Sequence, residues 1–168
     1  MTEKRTLVDI LKGAILLEHR GKALYETVAR QTEVEAVKDL FHMLADEENK
    51  HITILNKQFT HASKGESFDL SQLPEGGPAT ADDILSQTIV QGISAAGYEA
   101  AVISAALDFE KNAVSYYSQQ AGSAESEEAR NLFRWLSDWE KGHLMLFSKI
   151  DQEIKERVWY DNQFWPLD

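Results

Sequence analysis

Hydrophobic positions recur at helical spacing over four long stretches of this chain and lapse between the second and the third. From about Leu7 to Gln31, Ile10, Ala14, Leu17, Tyr25 and Val28 keep to one face of a helix. From about Glu33 to Phe59 the face is Val37, Leu40, Leu44, His51 and Leu55. A break follows, because Ser63 to Pro78 holds Gly65, Pro74, Gly76, Gly77 and Pro78, all turn signals. Thr80, with Asp82 and Asp83 behind it, has the form of a helix start, a hydroxyl cap before acids in the first turn. A short helix is therefore expected from Asp82 to Val90, with Gly92 and Ser94 marking a bend. The third long helix is expected from about Ala95 to Ala121, closed by Gly122 and Ser123, and the fourth from about Glu125 to Lys155. The tail from Val158 to Asp168 carries Trp159, Tyr160, Phe164 and Trp165 and is expected not to be helical to its end and to bury those rings.

The pattern predicts an all-α protein, an antiparallel four-helix bundle forming a single domain over residues 1–168. Helices 1 and 2 are joined tightly, as are helices 3 and 4, and a long crossover at about 62–94 links the two hairpins. The length suits one sizeable core. A formal net charge of -11 argues against nucleic acid and anionic membrane surfaces as partners. No apolar run approaches the roughly 20 residues of a membrane span, and Met1 to Asp9 has no signal-peptide pattern. A cytoplasmic location is the expectation. Cysteine is absent, so disulfides, iron–sulfur clusters and Cys-ligated zinc are excluded. Any metal site must be built from His and carboxylate.

The two halves of the chain are offset copies. A shift of 92 residues maps Glu18 to Glu110, Tyr25 to Tyr117, Glu48 to Glu140 and His51 to His143. The same shift maps Leu40 to Leu132, Phe41 to Phe133 and Leu44 to Leu136. Each half thus reads Glu, then Tyr seven residues later, then Glu-x-x-His. At 100° per residue, Glu48 and His51 lie about 60° apart and can address one metal. Glu18 and Tyr25 lie within about 20° of one line, roughly 10 Å apart along it. Two hairpins packed about a pseudo-twofold axis would gather four carboxylates and two imidazoles. Without metal those carboxylates would repel and their pKa values would rise; two divalent cations would compensate them. Hard oxygens with one nitrogen per ion suit iron or manganese.

With these residues in place, the chain resembles the ferritin-like superfamily and, within it, the rubrerythrin-like group. The likeness spans both hairpins, roughly Leu7 to Phe59 and Ala95 to Lys155. It implies two iron ions, with manganese an alternative. It implies Glu18 and Glu110 as terminal ligands, Glu48 and Glu140 as bridges, and His51 and His143 as one nitrogen ligand for each ion. Tyr25 and Tyr117 resemble the tyrosines that hydrogen-bond to carboxylate ligands in such bundles. The chain departs from rubrerythrins proper in lacking their Cys-rich iron domain. It also has Ala113 where they carry a further Glu three residues after the third-helix ligand.

Other residues compete for the site. Glu47 shares a face with His51, but the repeat maps it to Trp139, which places it outside the ligand set as a solvated or supporting residue. Asp46 and Asp138 are duplicated but sit about 160° around the helix from the ligand Glu, so a surface role is expected. His19, His42 and His61 have no His counterpart and are read as exposed or structural. Trp135, Trp139, Trp159 and Trp165 are read as core or interface residues. The resemblance implies reduction of peroxide or oxygen with electrons from an external donor, in a homodimer or higher homo-oligomer. Iron oxidation for storage or delivery is the first alternative, and a metal-stabilised structural module is the second.

Overall fold

Thr6 opens the first helix, its hydroxyl accepting the Asp9 N–H at 3.2 Å, and the helix α1 runs Leu7–Gln31. The computed structural model describes residues 6–78, 80, 84, 87–93 and 98–161, without the side chains of 87–88, 98–99 and 158–161. After α1 come α2 at Glu35–Ser63, a short α3 at Gln87–Gly92, α4 at Tyr98–Ser123 and α5 at Glu127–Asp161. Residues 32–34 turn α1 back onto α2, and 124–126 turn α4 back onto α5. Each pair packs along its length, and α1 also meets α4, closing a helical bundle. None of the described helices is long and apolar enough to cross a membrane.

Two helix ends lie well beyond the sequence expectation, for identifiable reasons. Helix α2 continues beyond Phe59 because nothing in Thr60 to Ser63 breaks it. It stops at Gly65, whose φ of 72° suits a residue without a side chain, while the Glu66 N–H bonds back to the His61 carbonyl at 2.9 Å. Helix α5 continues beyond Lys155 to Asp161, since the stretch holds neither Gly nor Pro. The expectation that the tail is not helical to its end falls on residues 162–168, which lie outside the described residues, as do the rings of Trp159, Tyr160, Phe164 and Trp165. Of the short helix expected from Asp82 to Val90, Ile84 and Gln87–Gly92 are described as helical, the Ile84 N–H bonding back to the Thr80 carbonyl at 3.2 Å, while residues 82, 83, 85 and 86 lie outside the described residues.

The crossover is tied to the bundle on both sides. Gln58, buried on α2, exchanges two hydrogen bonds with the backbone of Asp69, at 2.8 and 3.0 Å. Farther on, Pro78 lies so close to Gly142 of α5 that a Cβ there would stand 2.1 Å from its ring. Two apolar clusters fill the bundle. One contains Tyr25, Val28, Phe41, Leu44, Phe147 and Ile150; the other contains Leu11, Leu55, Tyr117, Leu132, Phe133 and Leu136. Each fully buried Leu or Phe contributes about 1.5–3 kcal/mol. That apolar burial offsets what the middle of the bundle costs, because six ionisable side chains are gathered there.

Candidate metal centre

The buried stripe of α1 runs Leu11, Ala14, Glu18, Gly21, Tyr25 and Val28, so an acid lies in line with the core residues. Ile10 and Leu17, expected on that stripe, flank it half-buried. Helix α2 likewise turns Leu44, Glu48, His51 and Leu55 inward. With Glu110 on α4 and Glu140 and His143 on α5, six ionisable side chains meet in the bundle, none more than 2% exposed. The three-residue step from Glu to His puts both on one helix face, one turn apart.

The six divide into two overlapping groups. Glu18, Glu48, His51 and Glu140 bring one ligand atom each within 4.8 Å of one another, and so do Glu48, Glu110, Glu140 and His143. Each group could hold one metal ion. Glu48 and Glu140 belong to both, and their oxygens are shared out accordingly. Glu140 Oε1 lies 3.1 Å from His51 Nδ1, and its Oε2 lies 3.1 Å from His143 Nδ1. Glu48 Oε2 lies 3.6 Å from His51 Nδ1, and its Oε1 lies 3.5 Å from His143 Nδ1. Glu18 reaches only His51 of the two, at 3.0 Å, and Glu110 only His143, at 3.5 Å.

The outer carboxylates are held crosswise. The Tyr25 hydroxyl on α1 donates to Glu110 on α4, and the Tyr117 hydroxyl on α4 donates to Glu18 on α1. Both tyrosines are fully buried among aromatic rings. Tyr25 packs against Phe41, Phe109 and Phe147, and Tyr117 against Tyr116 and Phe133. Burial, and then the negative charge of the carboxylate each one meets, raise both hydroxyls well above the ordinary tyrosine value. Both stay protonated donors.

The charges distribute as four acids forced together must. Burial and the neighbouring carboxylates of Glu140 and Glu48 raise Glu18 well above its ordinary value. Burial, with Glu140 beside it, raises Glu110 to about 8. Burial also opposes ionisation of Glu48 and Glu140, yet both are lowered, Glu48 by hydrogen bonds with Glu18 and then with the two imidazoles, and Glu140 by the charge and hydrogen bonds of His51 and His143. Burial would neutralise His51 and His143, yet the surrounding carboxylates hold both imidazoles well above the ordinary histidine value. Two neutral acids and two imidazoliums facing two carboxylates make the cluster electrically balanced, and the four protons it holds carry the charge of two divalent cations. Two divalent cations supply the same compensation.

The donor set fits such cations. Glu48 Oε1, Glu110 Oε2 and Glu140 Oε1 are buried and accept no hydrogen bond of ordinary geometry among the described residues. Buried acceptors left this way are costly unless another group binds them. The nitrogen facing the carboxylates is Nδ1 on both imidazoles. The spacing also accounts for the small residues nearby. A Cβ on Gly21 would stand 2.8 Å from the Phe109 ring and 3.3 Å from the Glu48 carboxyl carbon. Its repeat counterpart Ala113 is buried at the equivalent place on α4.

Residues set aside on sequence grounds divide in two. Asp46 and Asp138 are exposed, as are His19 and His42, and His61 pairs with Glu66 at 3.0 Å near the end of α2. Glu47 is different. Its Oε2 accepts from His143 Nε2 at 2.6 Å, across the bundle rather than along its own helix. Trp135 and Trp139 stand edge-on to His51, with centroids 5.5 and 5.7 Å from it. Sequence reasoning gave none of these three a place beside a particular imidazole. The signal available was a break in the repeat beside the ligands, Glu47 against Trp139.

Comparison with known proteins agrees with this geometry. The family model described as Rubrerythrin matches residues 9–151. A solved structure of a hypothetical protein from Pyrococcus furiosus shares the fold, with a TM-score of 0.64 and 24% identity over 90% of this chain and 92% of that one. Among curated proteins, none matches this chain.

Proposed function

The chain belongs to the rubrerythrin family, and from that premise we propose that it is a di-iron protein that reduces peroxide or oxygen with electrons from an external donor. The observation that carries this reading is the sharing of Glu48 and Glu140, each with one oxygen toward either imidazole. Each of these two carboxylates could therefore serve both cation positions. When bound, two ferrous ions supply the two electrons that, with two protons, convert hydrogen peroxide to two waters.

The chain's own residues do the rest. Glu18 with His51, and Glu110 with His143, would complete the two cation positions. Tyr25 and Tyr117 orient the outer carboxylates through their hydroxyls, so neither acid swings away when its charge changes. The two apolar clusters exclude bulk water above and below, which strengthens every charge interaction between them. These 168 residues hold no cysteine that could ligate an iron–sulfur cluster, which supports the reading of an external electron donor. Iron is favoured over manganese by the reaction proposed, since the ligand chemistry accepts either.

Loading the metal-free protein with ferrous iron and mixing it with hydrogen peroxide tests the reading. The expected result is fast oxidation with a diferric absorption band, lost in Glu48→Ala. Iron that binds but stays ferrous under peroxide would sink the redox role and leave a structural one.

A further inference from the structure

The chelating side chains are duplicated, but the surroundings of the two imidazoles are not. His143 Nε2 is 2.6 Å from Glu47 Oε2, and that carboxylate is only 12% exposed. The same Glu47 oxygen also receives the indole N–H of Trp139 at 3.3 Å. His51 Nε2, buried, has no hydrogen-bond partner among the described residues. Its ring lies edge-on to Trp135 and Trp139, which themselves pack at 5.1 Å. Glu47 and Trp139 occupy equivalent positions of the repeat. One half therefore offers its partner's imidazole a carboxylate, and the other half offers an indole.

This difference acts on metal binding through the imidazole. A carboxylate on Nε2 fixes the proton there, presents the Nδ1 lone pair toward the other ligands, and makes that nitrogen more basic. An indole edge does none of this, and the buried Nε2–H of His51 gains no acceptor on cation binding.

Resting on the two-cation reading above, we propose that the centre is built unequal: the His143 position binds a divalent cation first and more tightly, because Glu47, held by Trp139, supports that imidazole alone. Glu47 and Trp139 are positioning residues that act through the histidines. The His51 position is the exchangeable one. Removing an outer partner of this kind costs about 10–100-fold in metal affinity, so the two positions differ by about that factor.

The test uses the full-length, metal-free protein and Mn2+. At one equivalent, anomalous scattering from crystals is expected to place manganese between His143, Glu110, Glu48 and Glu140, and calorimetry to resolve two steps about 10–100-fold apart. Two steps alone would also arise from equal positions that repel each other, so the location of the first ion decides. In Glu47→Gln the steps are expected to draw together to within about threefold, with manganese spread over both positions, by loss of the same carboxylate effect. Trp139→Phe keeps a ring against His51 and removes only the N–H on Glu47, so the gap narrows less. First occupancy at the His51 position, equal occupancy in the wild type, or a Glu47→Gln protein that still seats its first ion at the His143 position would overturn the inequality. Failure to bind manganese at either position would overturn the centre itself. Unequal binding in a protein inert to peroxide would refute only the redox reading.

Discussion

The two halves of the centre teach by where they part. In the chelating set they are copies: Glu18 and Glu110, Glu48 and Glu140, His51 and His143, each outer acid held by a tyrosine from the other hairpin. Around the imidazoles they are unlike, with Glu47 on His143 and two indoles on His51. A duplicated helical hairpin buries its own copy, so Glu48 and Glu140, which belong to both ligand groups, must suit both. A residue one step off the bundle axis touches one imidazole only. It can change in one half without disturbing the other.

The largest expected effect comes from cutting the shared ligands. Glu48→Ala should weaken both cation positions by at least about 100-fold, beyond the 10–100-fold cost of losing an outer partner. Glu18→Ala should weaken only the His51 position. Metal content after dialysis separates them: one retained ion per chain in Glu18→Ala and none in Glu48→Ala. Equal losses from both would mean that the oxygens of Glu48 are not divided as the distances indicate.

Acidity comes next, and its sign follows from the shifted groups. Glu18, Glu110, His51 and His143 bind protons more tightly in the folded chain than in the unfolded one. Their contribution is full below the unfolded values and is lost as pH rises through the folded ones. For Glu110 that window runs from its ordinary 4.5 to about 8. The lowered acids Glu48 and Glu140 act oppositely, as pH falls below the ordinary carboxylate range. The metal-free protein should therefore lose about 5–10 °C of thermal midpoint between about pH 6 and pH 9, given about 2–4 °C per kcal/mol at this size. The metal-loaded protein should not, because cations have replaced the protons, and metal uptake at pH 7 should release protons measurable in weakly buffered solution. A metal-free midpoint that rises over this range would contradict the assigned protonation.

Smaller effects test how symmetric the outer carboxylates are. Tyr25→Phe and Tyr117→Phe keep each ring in its aromatic cluster and remove one buried hydrogen bond. Each should cost about 1–3 kcal/mol in denaturant unfolding of the metal-free protein. The two costs should agree within about 0.5 kcal/mol, near the usual error of such comparisons. A larger gap would show that the inequality extends beyond the imidazoles. The smallest effect is expected at the duplicated surface acids: Asp46→Asn and Asp138→Asn should each change stability by less than about 0.5 kcal/mol.

Much of this was legible before any coordinates, and the reason is periodicity. Apolar spacing alone located four long helices, and prolines and glycines located the crossover, because a helix must bury one stripe and cannot pass a breaker. Ends were less legible. Helix α2 reached Ser63 and α5 reached Asp161, since propensity without a capping signal does not say where the last turn stops. The repeat singled out six side chains that the fold then brought within reach of one another. Two copies of one spacing on a pseudo-twofold bundle leave little choice about where they meet.

What the chain determined by itself was therefore the symmetric part of the protein: its helices, its duplication and the six residues that face the axis. Tertiary structure alone decided which oxygen of Glu48 and Glu140 faces which imidazole, which tyrosine holds which acid, and that Glu47 crosses the bundle to His143. Along its own helix Glu47 lies one turn from His51, four residues away, and that spacing suggests the wrong partner. Contacts between hairpins depend on their relative rotation and separation, which no spacing within one helix records. The break between Glu47 and Trp139 was visible in the sequence, but its meaning depended on distances that only the packed bundle sets.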